Sequence, residues 1–381
     1  MSREDALYLR IYKDLLCRIQ DGVYEGGKKL PTENELAQGY SVARITAHNA
    51  LKKLEEEGYI ERFPRRGSFV RNNLPVGKAV KKQPVIVLIM GNYAHNFGYE
   101  VMSGMLEKCA EYGYHLIVKE SGNSQKKEEQ IFRELKQIDY SGLLVQPAAG
   151  STYSPWLVNA VYAGKPLVMF DRMLPGINAP YVGTNNAQLS EQAVTKLLEK
   201  GHEQISLITL TGEQTSSIKE RSQGFVSACA RFGVPVHYDL WLDNLQGKNK
   251  AYATEKTITE QCAWKIAAHL KHHPQITAVY GTESLMTVAA VMAVRSLNLR
   301  IPQDISIVSF DHPATELHIS HVEQNQMLIG IRAVERLHRL ISGEDKTPTS
   351  LRISGIWVEG DSILDITKKM PPSDLNGNGK E

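Results

Sequence analysis

Apolar residues fall into two textures along the chain: helical intervals up to about residue 71, and short uninterrupted runs from residue 85 onward. Over residues 5–20, Leu7, Ile11, Leu15 and Ile19 recur every four positions and mark one face of a helix. A second helix is predicted after Pro31, where the Thr32 hydroxyl can cap the amide of Glu35. A third is predicted from Ser41 to Glu57, stopped by Gly58. In it Ile45, Leu51 and Leu54 are expected on the core face, with Arg44, Thr46, His48 and Lys52 directed elsewhere. YIERF and GSFV then predict two strands around PRRG (64–67), a tight hairpin with two arginines at its tip.

The second texture consists of VIVLIM (85–90), HLIVK (115–119), GLLVQP (142–147), PLVMF (166–170), ISLITL (205–210), AVYG (278–281) and ISIVSF (305–310). Helical spacing fills the gaps, as in residues 99–113 and 187–201. Strands buried on both faces read as continuous apolar runs, and helices between them provide the crossovers that parallel pairing needs. The pattern predicts an α/β chain: an N-terminal winged helix-turn-helix over 1–72 and a linker over 73–84. A two-lobed parallel-sheet domain over 85–367 follows, and then a disordered tail over 368–381.

Charge sharpens this division. Residues 1–83 hold 16 Lys and Arg against 11 Asp and Glu, and the remainder holds 28 against 31, so a basic head precedes a slightly acidic body. Such a head suits a polyanion. The four cysteines (Cys17, Cys109, Cys229, Cys262) are far apart and suggest neither a zinc site nor a disulfide framework. The charged N-terminus and the lack of a long apolar stretch predict no signal peptide and no membrane span, hence a cytoplasmic protein. GxxxxGK[ST], GxGxxG opening a helix and GxSxG are all missing, so no enzyme activity and no cofactor are expected. His312, His318 and His321 form too weak a pattern to predict a metal.

LPTENELA, VARITAHNALKKLEEEGYIER and RRGSFV together resemble the DNA-binding head of the GntR family over nearly all of residues 5–71. The resemblance implies contacts to double-stranded operator DNA from Glu33 (by packing near a phosphate), Arg44, Thr46, His48 and Gly67. The hairpin arginines Arg65 and Arg66 suit phosphates or a narrow minor groove. Arg44 is the expected reader, because a guanidinium can bridge two guanine acceptors. Ala43 stands where that family usually has serine or threonine, and His48 where it often has arginine.

Polar residues in the body close several of the apolar runs, where open α/β sheets place ligands. Asp171 and Arg172 follow PLVMF, Thr282, Glu283 and Ser284 follow AVYG, and Asp311 and His312 follow ISIVSF. Lys219 and Arg221 are expected on a loop leading into a helix, and Phe97 and Tyr99 are either aromatics for a sugar's apolar face or plain core residues. Asp171 and Asp311 could instead be helix N-caps, and Arg221 an ordinary ion-pair partner. Residues 85–365 are similar to the effector domain of the LacI/GalR repressors. This implies that Arg221 holds sugar hydroxyls, Asp311 accepts from them and Gln324 closes the pocket. Glu283, Ser284 and Asn185 depart from that family's usual residues. A GntR head on a LacI-type body resembles the arabinose repressor group of bacteria. The combination implies a homodimeric repressor released from its operator by a small neutral sugar such as arabinose; the alternatives are a non-sugar effector such as a nucleobase, or an enzyme fused to a DNA-binding head.

Overall fold

A computed structural model describes residues 3–73, 83–91, 97–148, 154–210, 215–245, 255–345 and 347–368. Most of the expected linker (74–82) and tail (369–381) lies outside these. The chain divides into two compact units, residues 1–83 and 84–381.

The first unit has α1 (Arg3–Gln20), α2 (Glu33–Gly39), α3 (Arg44–Glu56) and a hairpin of β1 (Ile60–Phe63) and β2 (Gly67–Val70). Ile11, Leu15 and Ile19 of α1 pack with Leu36, Ala47, Ala50, Leu51, Leu54, Ile60 and Val70 in one core. The Thr32 hydroxyl accepts from the Glu35 amide, and the Glu35 carboxylate accepts from the Thr32 amide, a complete capping box. Thr32→Ala is expected to lower head stability by about 1 kcal/mol, seen as a lower urea midpoint at unchanged slope for the head transition.

The third helix starts at Arg44, not Ser41, because Ser41 takes a left-handed φ of 54° and Ala43 is extended. Its core face also differs from expectation. Thr46 is buried at 6% exposure, whereas Ile45 is 60% exposed. At 100° per residue Ile45 lies about 120° around the helix from Leu51, while Ala47 and Ala50 align with Leu51 and Leu54. Small residues there let α3 approach α1 and α2 closely.

The second unit contains two six-stranded sheets. The first is built from β3 (Val85–Met90), β4 (His115–Glu120), β5 (Gly142–Val145), β6 (Leu167–Phe170) and β7 (Tyr181–Thr184). The second is built from β8 (Ile205–Leu210), β9 (Leu242–Leu245), β10 (Ala278–Gly281), β11 (Ser306–Phe310) and β12 (Ser320–Glu323). The last two strands divide: β13 (Ser350–Ile353) joins the first sheet beside β7, and β14 (Ile356–Val358) joins the second beside β12. The orders are 13-7-6-5-3-4 and 14-12-11-10-8-9, and all named pairings are parallel except β12 with β14.

Helices α4 (Tyr99–Glu111), α5 (Gln125–Glu134), α6 (Pro155–Tyr162) and α11 (Gln326–Ser342) cover the first sheet. Helices α7 (Asn186–Glu199), α8 (Ser216–Phe232), α9 (Glu255–His272) and α10 (Ser284–Ser296) cover the second. Helices α4 and α11 touch backbone to backbone, since a Cβ on Gly330 would lie 2.0 Å from the Val101 carbonyl oxygen. The chain therefore passes between lobes three times: after β7, after β12 and after β13. These crossings bring the C-terminal ends of both sets of parallel strands together, and there Gln324 joins Thr184 of one lobe to Asp311 of the other. No helix among the described residues is long and apolar enough to cross a membrane.

Candidate functional site

Two places in the molecule gather polar side chains whose arrangement goes beyond local folding. The first is the outer face of α3. Glu33, the first residue of α2, accepts from Arg44 Nε at 2.9 Å, His48 Nδ1 at 2.8 Å and Arg62 Nη2 at 2.5 Å. One carboxylate thus ties α2, α3 and β1 together, and its bonds to His48, Arg44 and Arg62 hold its pKa down at about 2. Arg44 remains largely exposed despite this bond. Ile45, Asn49 and Lys52 are exposed beside it, with His48 half-buried. Thr46, expected on this face, instead points into the head core.

The hairpin turn carries Arg65 and Arg66, both exposed, with Arg65 at a left-handed φ of 63°. Gly67 sits at φ 106°, where a Cβ would lie 2.8 Å from the Lys29 side chain, so glycine fits the turn. The Arg66 guanidinium lies over the Phe63 ring, which packs edge-on against Phe69. This holds the tip's charge on a short, stiff ribbon.

The second place is where the strand ends of the body's two lobes meet, and there the lobes repeat one device. Asp171 follows β6 and Asp311 follows β11, both left-handed, with φ of 60° and 67°. The amide of each donates to the neighbouring strand, Asp171 to the Val182 carbonyl and Asp311 to the Val322 carbonyl. Neither is a helix N-cap. A glutamine holds each carboxylate: Gln146 Nε2 donates to Asp171 at 2.7 Å, and Gln324 Nε2 donates to Asp311 at 2.7 Å. Left-handed backbone at a residue with a Cβ costs of order 1 kcal/mol and is kept where its surroundings force it. Here it aims two acids into one space.

Arg221 is buried near Asp311. Its Nε donates to Asn186 Oδ1 at 2.9 Å and its Nη1 to the Thr282 carbonyl at 2.6 Å, with the guanidinium 3.6 Å from the Phe310 ring centroid. Among the described residues it makes no ordinary ion pair; it is braced by neutral groups on three elements. Arg172 Nη1 donates to Asn123 Oδ1 at 2.8 Å, with its Nε 3.4 Å from Asp171 Oδ2. Burial raises the Asp311 pKa to about 6, opposed by the Arg221 charge and the Gln324 bonds and reinforced by Asp171. Among the described residues nothing hydrogen-bonds to the buried Asp311 Oδ1. An acceptor buried without a donor costs about 1–3 kcal/mol, which a ligand hydroxyl would relieve.

Three comparisons with known proteins bear on these sites. Residues 7–70 match the family "Bacterial regulatory proteins, gntR family", and residues 194–363 match the "Periplasmic binding protein-like domain". It is a transcription regulator with a gntR-family head and a periplasmic-binding-protein-like body. The regulator is 25% identical over 345 residues to the arabinose metabolism transcriptional repressor of Geobacillus stearothermophilus, covering 88% of this chain and 91% of that protein. It is likewise 25% identical over 287 residues to the transcriptional regulator KdgR of Bacillus subtilis, covering 73% and 79%. Its fold is similar to that of the transcription regulator CcpA of Lactococcus lactis, with TM-score 0.63, 18% identity and coverage of 74% of this chain and all of that one. It is also similar to the regulator CelR in a cellobiose complex, with TM-score 0.64, 21% identity and coverage of 87% and 100%.

Some of the regulator's sequence-predicted cleft residues need relocation. Lys219 and Arg221 lie within α8, whose N-cap is Thr215, not on a loop before it. Asn185 turns outward and donates to Gln188; Asn186, its neighbour, is the one that meets Arg221. Phe97 packs partly into the first lobe's core, and Tyr99 stands 58% exposed at the start of α4. Glu283 is half-buried at the N-cap of α10, beside Thr282. Gln324 is buried and accepts from the Thr184 hydroxyl while donating to Asp311, so it spans both lobes. Sequence reasoning missed Gln146, although it closes the run GLLV as Asp171 closes LVMF. That signal would have found it. Among the described residues no cluster of three or more His, Cys, Asp and Glu is arranged to hold a metal.

Proposed function

We propose that the regulator is a homodimeric repressor that grips operator DNA through α3 and the hairpin and releases it when a small neutral sugar fills the body's cleft. The observation that carries this reading is the matched pair of left-handed aspartates, one per lobe, with Arg221 buried beside the second. Carboxylates accept from hydroxyls and guanidinium groups donate to them, so adjacent hydroxyls of a sugar satisfy both. Two acids in one closed space raise the cost of an anionic ligand, which favours a neutral sugar over a sugar phosphate. A relative named for arabinose metabolism and a fold neighbour in complex with cellobiose support the sugar class.

On the DNA side, Arg44, His48, Arg65, Arg66 and Gly67 form the contact surface, and Glu33 holds Arg44 and His48 ready. Arg44→Ala is expected to weaken operator binding roughly tenfold to a hundredfold, the worth of about 1–3 kcal/mol for a bidentate base contact, checked by titration at fixed salt. Sugar favours the closed cleft, and operator affinity follows by linkage. Thermal shift against a panel of pentoses, hexoses and nucleosides tests the effector class. A cognate sugar at a hundredfold excess over its Kd adds roughly 2.7 kcal/mol of stability. Stabilisation by a nucleoside alone would replace the sugar reading.

A further inference from the structure

Ile45 has no structural use where it stands. It is 60% exposed on the outer face of α3, between the exposed Arg44 and the outward Asn49 and Lys52. A β-branched residue is a poorer helix former than alanine, and an exposed one gains nothing by burial to offset that. Glu33 draws Arg44 and His48 toward α2, so the strip containing Ile45 and Asn49 lies alongside the cations that would meet the phosphates. An apolar group flanked by cations fits a surface that is anionic at its rim and apolar at one point. The major groove offers one such apolar group, the C5-methyl of thymine.

We propose that Ile45 determines operator specificity by packing against a thymine methyl in each half-site. This rests on the reading that α3 enters the major groove. It adds a base identity to the operator at a position where Arg44 contributes affinity, and it makes the regulator sensitive to a single methyl group on the DNA.

The test uses the full chain and an operator selected by it from random duplexes. Each thymine is replaced singly by deoxyuridine, which removes the methyl and leaves the pairing edge intact. Wild type should lose roughly three- to fivefold in affinity at one thymine per half-site, the ratio set by burying about one methyl-sized group. Ile45→Ala should lose a similar amount on the natural operator and nothing more on the uracil operator, and Ile45→Val should keep most of the discrimination. Because the position is exposed, the melting temperature should not fall. If wild type ignores every thymine methyl, or if Ile45→Ala still discriminates thymine from uracil, the inference is wrong. Loss of binding by Arg44→Ala in the same assay keeps the groove reading intact in that case. If neither Arg44→Ala nor Ile45→Ala changes affinity, the groove reading and the inference both fall.

Discussion

Asp311→Asn is expected to make the unliganded body more stable by about 3 kcal/mol at about pH 7.5 while removing its response to effector. The carboxyl is buried, and its folded pKa is raised to about 6. The unfolded value is about 3.9. Below about pH 4 the acid is protonated in both states, and its ionisation takes nothing from stability. Between about pH 4 and 6 the unfolded chain ionises while the folded one keeps its proton, so wild-type stability falls as pH rises. Above about pH 6 the loss is complete. Asparagine imitates the protonated acid at every pH, so its advantage should be absent near about pH 4 and full above about pH 6.5. Urea unfolding across this range measures it. A variant no more stable than wild type at neutral pH would show that Asp311 is not held against its ionisation.

Arg221→Met is expected to act in the opposite sense and more strongly, destabilising the body by about 3–5 kcal/mol, as removal of one buried charge from a coupled set does. The loss has three identifiable parts: Asn186 Oδ1 and the Thr282 carbonyl lose donors, and Asp311 loses a nearby positive charge. The last part can be isolated. Adding Asp311→Asn to Arg221→Met should restore stability at neutral pH by more than Asp311→Asn gives alone, because the carboxylate is worse placed without the guanidinium. Strict additivity of the two would mean the side chains do not sense each other. Methionine fills similar volume, so the effect is electrostatic and not a cavity.

The legible part of this fold was the part made of strong local signals. The runs at residues 85–90, 205–210 and 278–281 coincide with strands because burial on both faces leaves no polar interruption. Strand β7 (YVGT), β12 (SHVE) and β13 (SLRI) were missed, since they are short, carry polar residues and are fixed by their pairing within the sheet. The triple crossing between lobes depends on those strands, so the way the two lobes join was not legible from the pattern of runs. Asp171 and Asp311 stood out as acids closing apolar runs, but their shared left-handed backbone and the glutamines that fix them are tertiary facts. The face of α3 shows a different limit. Hydrophobicity placed Ile45 inside and Thr46 outside, whereas the angle around the helix and the close approach to α1 decide the reverse.

The central claim is that effector in the body's cleft and DNA on the head are linked. Its most direct measurement is operator affinity of the full chain, by fluorescence anisotropy at fixed salt, with and without each sugar of the panel. One neutral monosaccharide should weaken binding about 5- to 150-fold in wild type, and Asp311→Asn should bind operator equally well but ignore that sugar. Operator affinity that is the same in the presence of every sugar, at concentrations that stabilise the protein, would contradict the account.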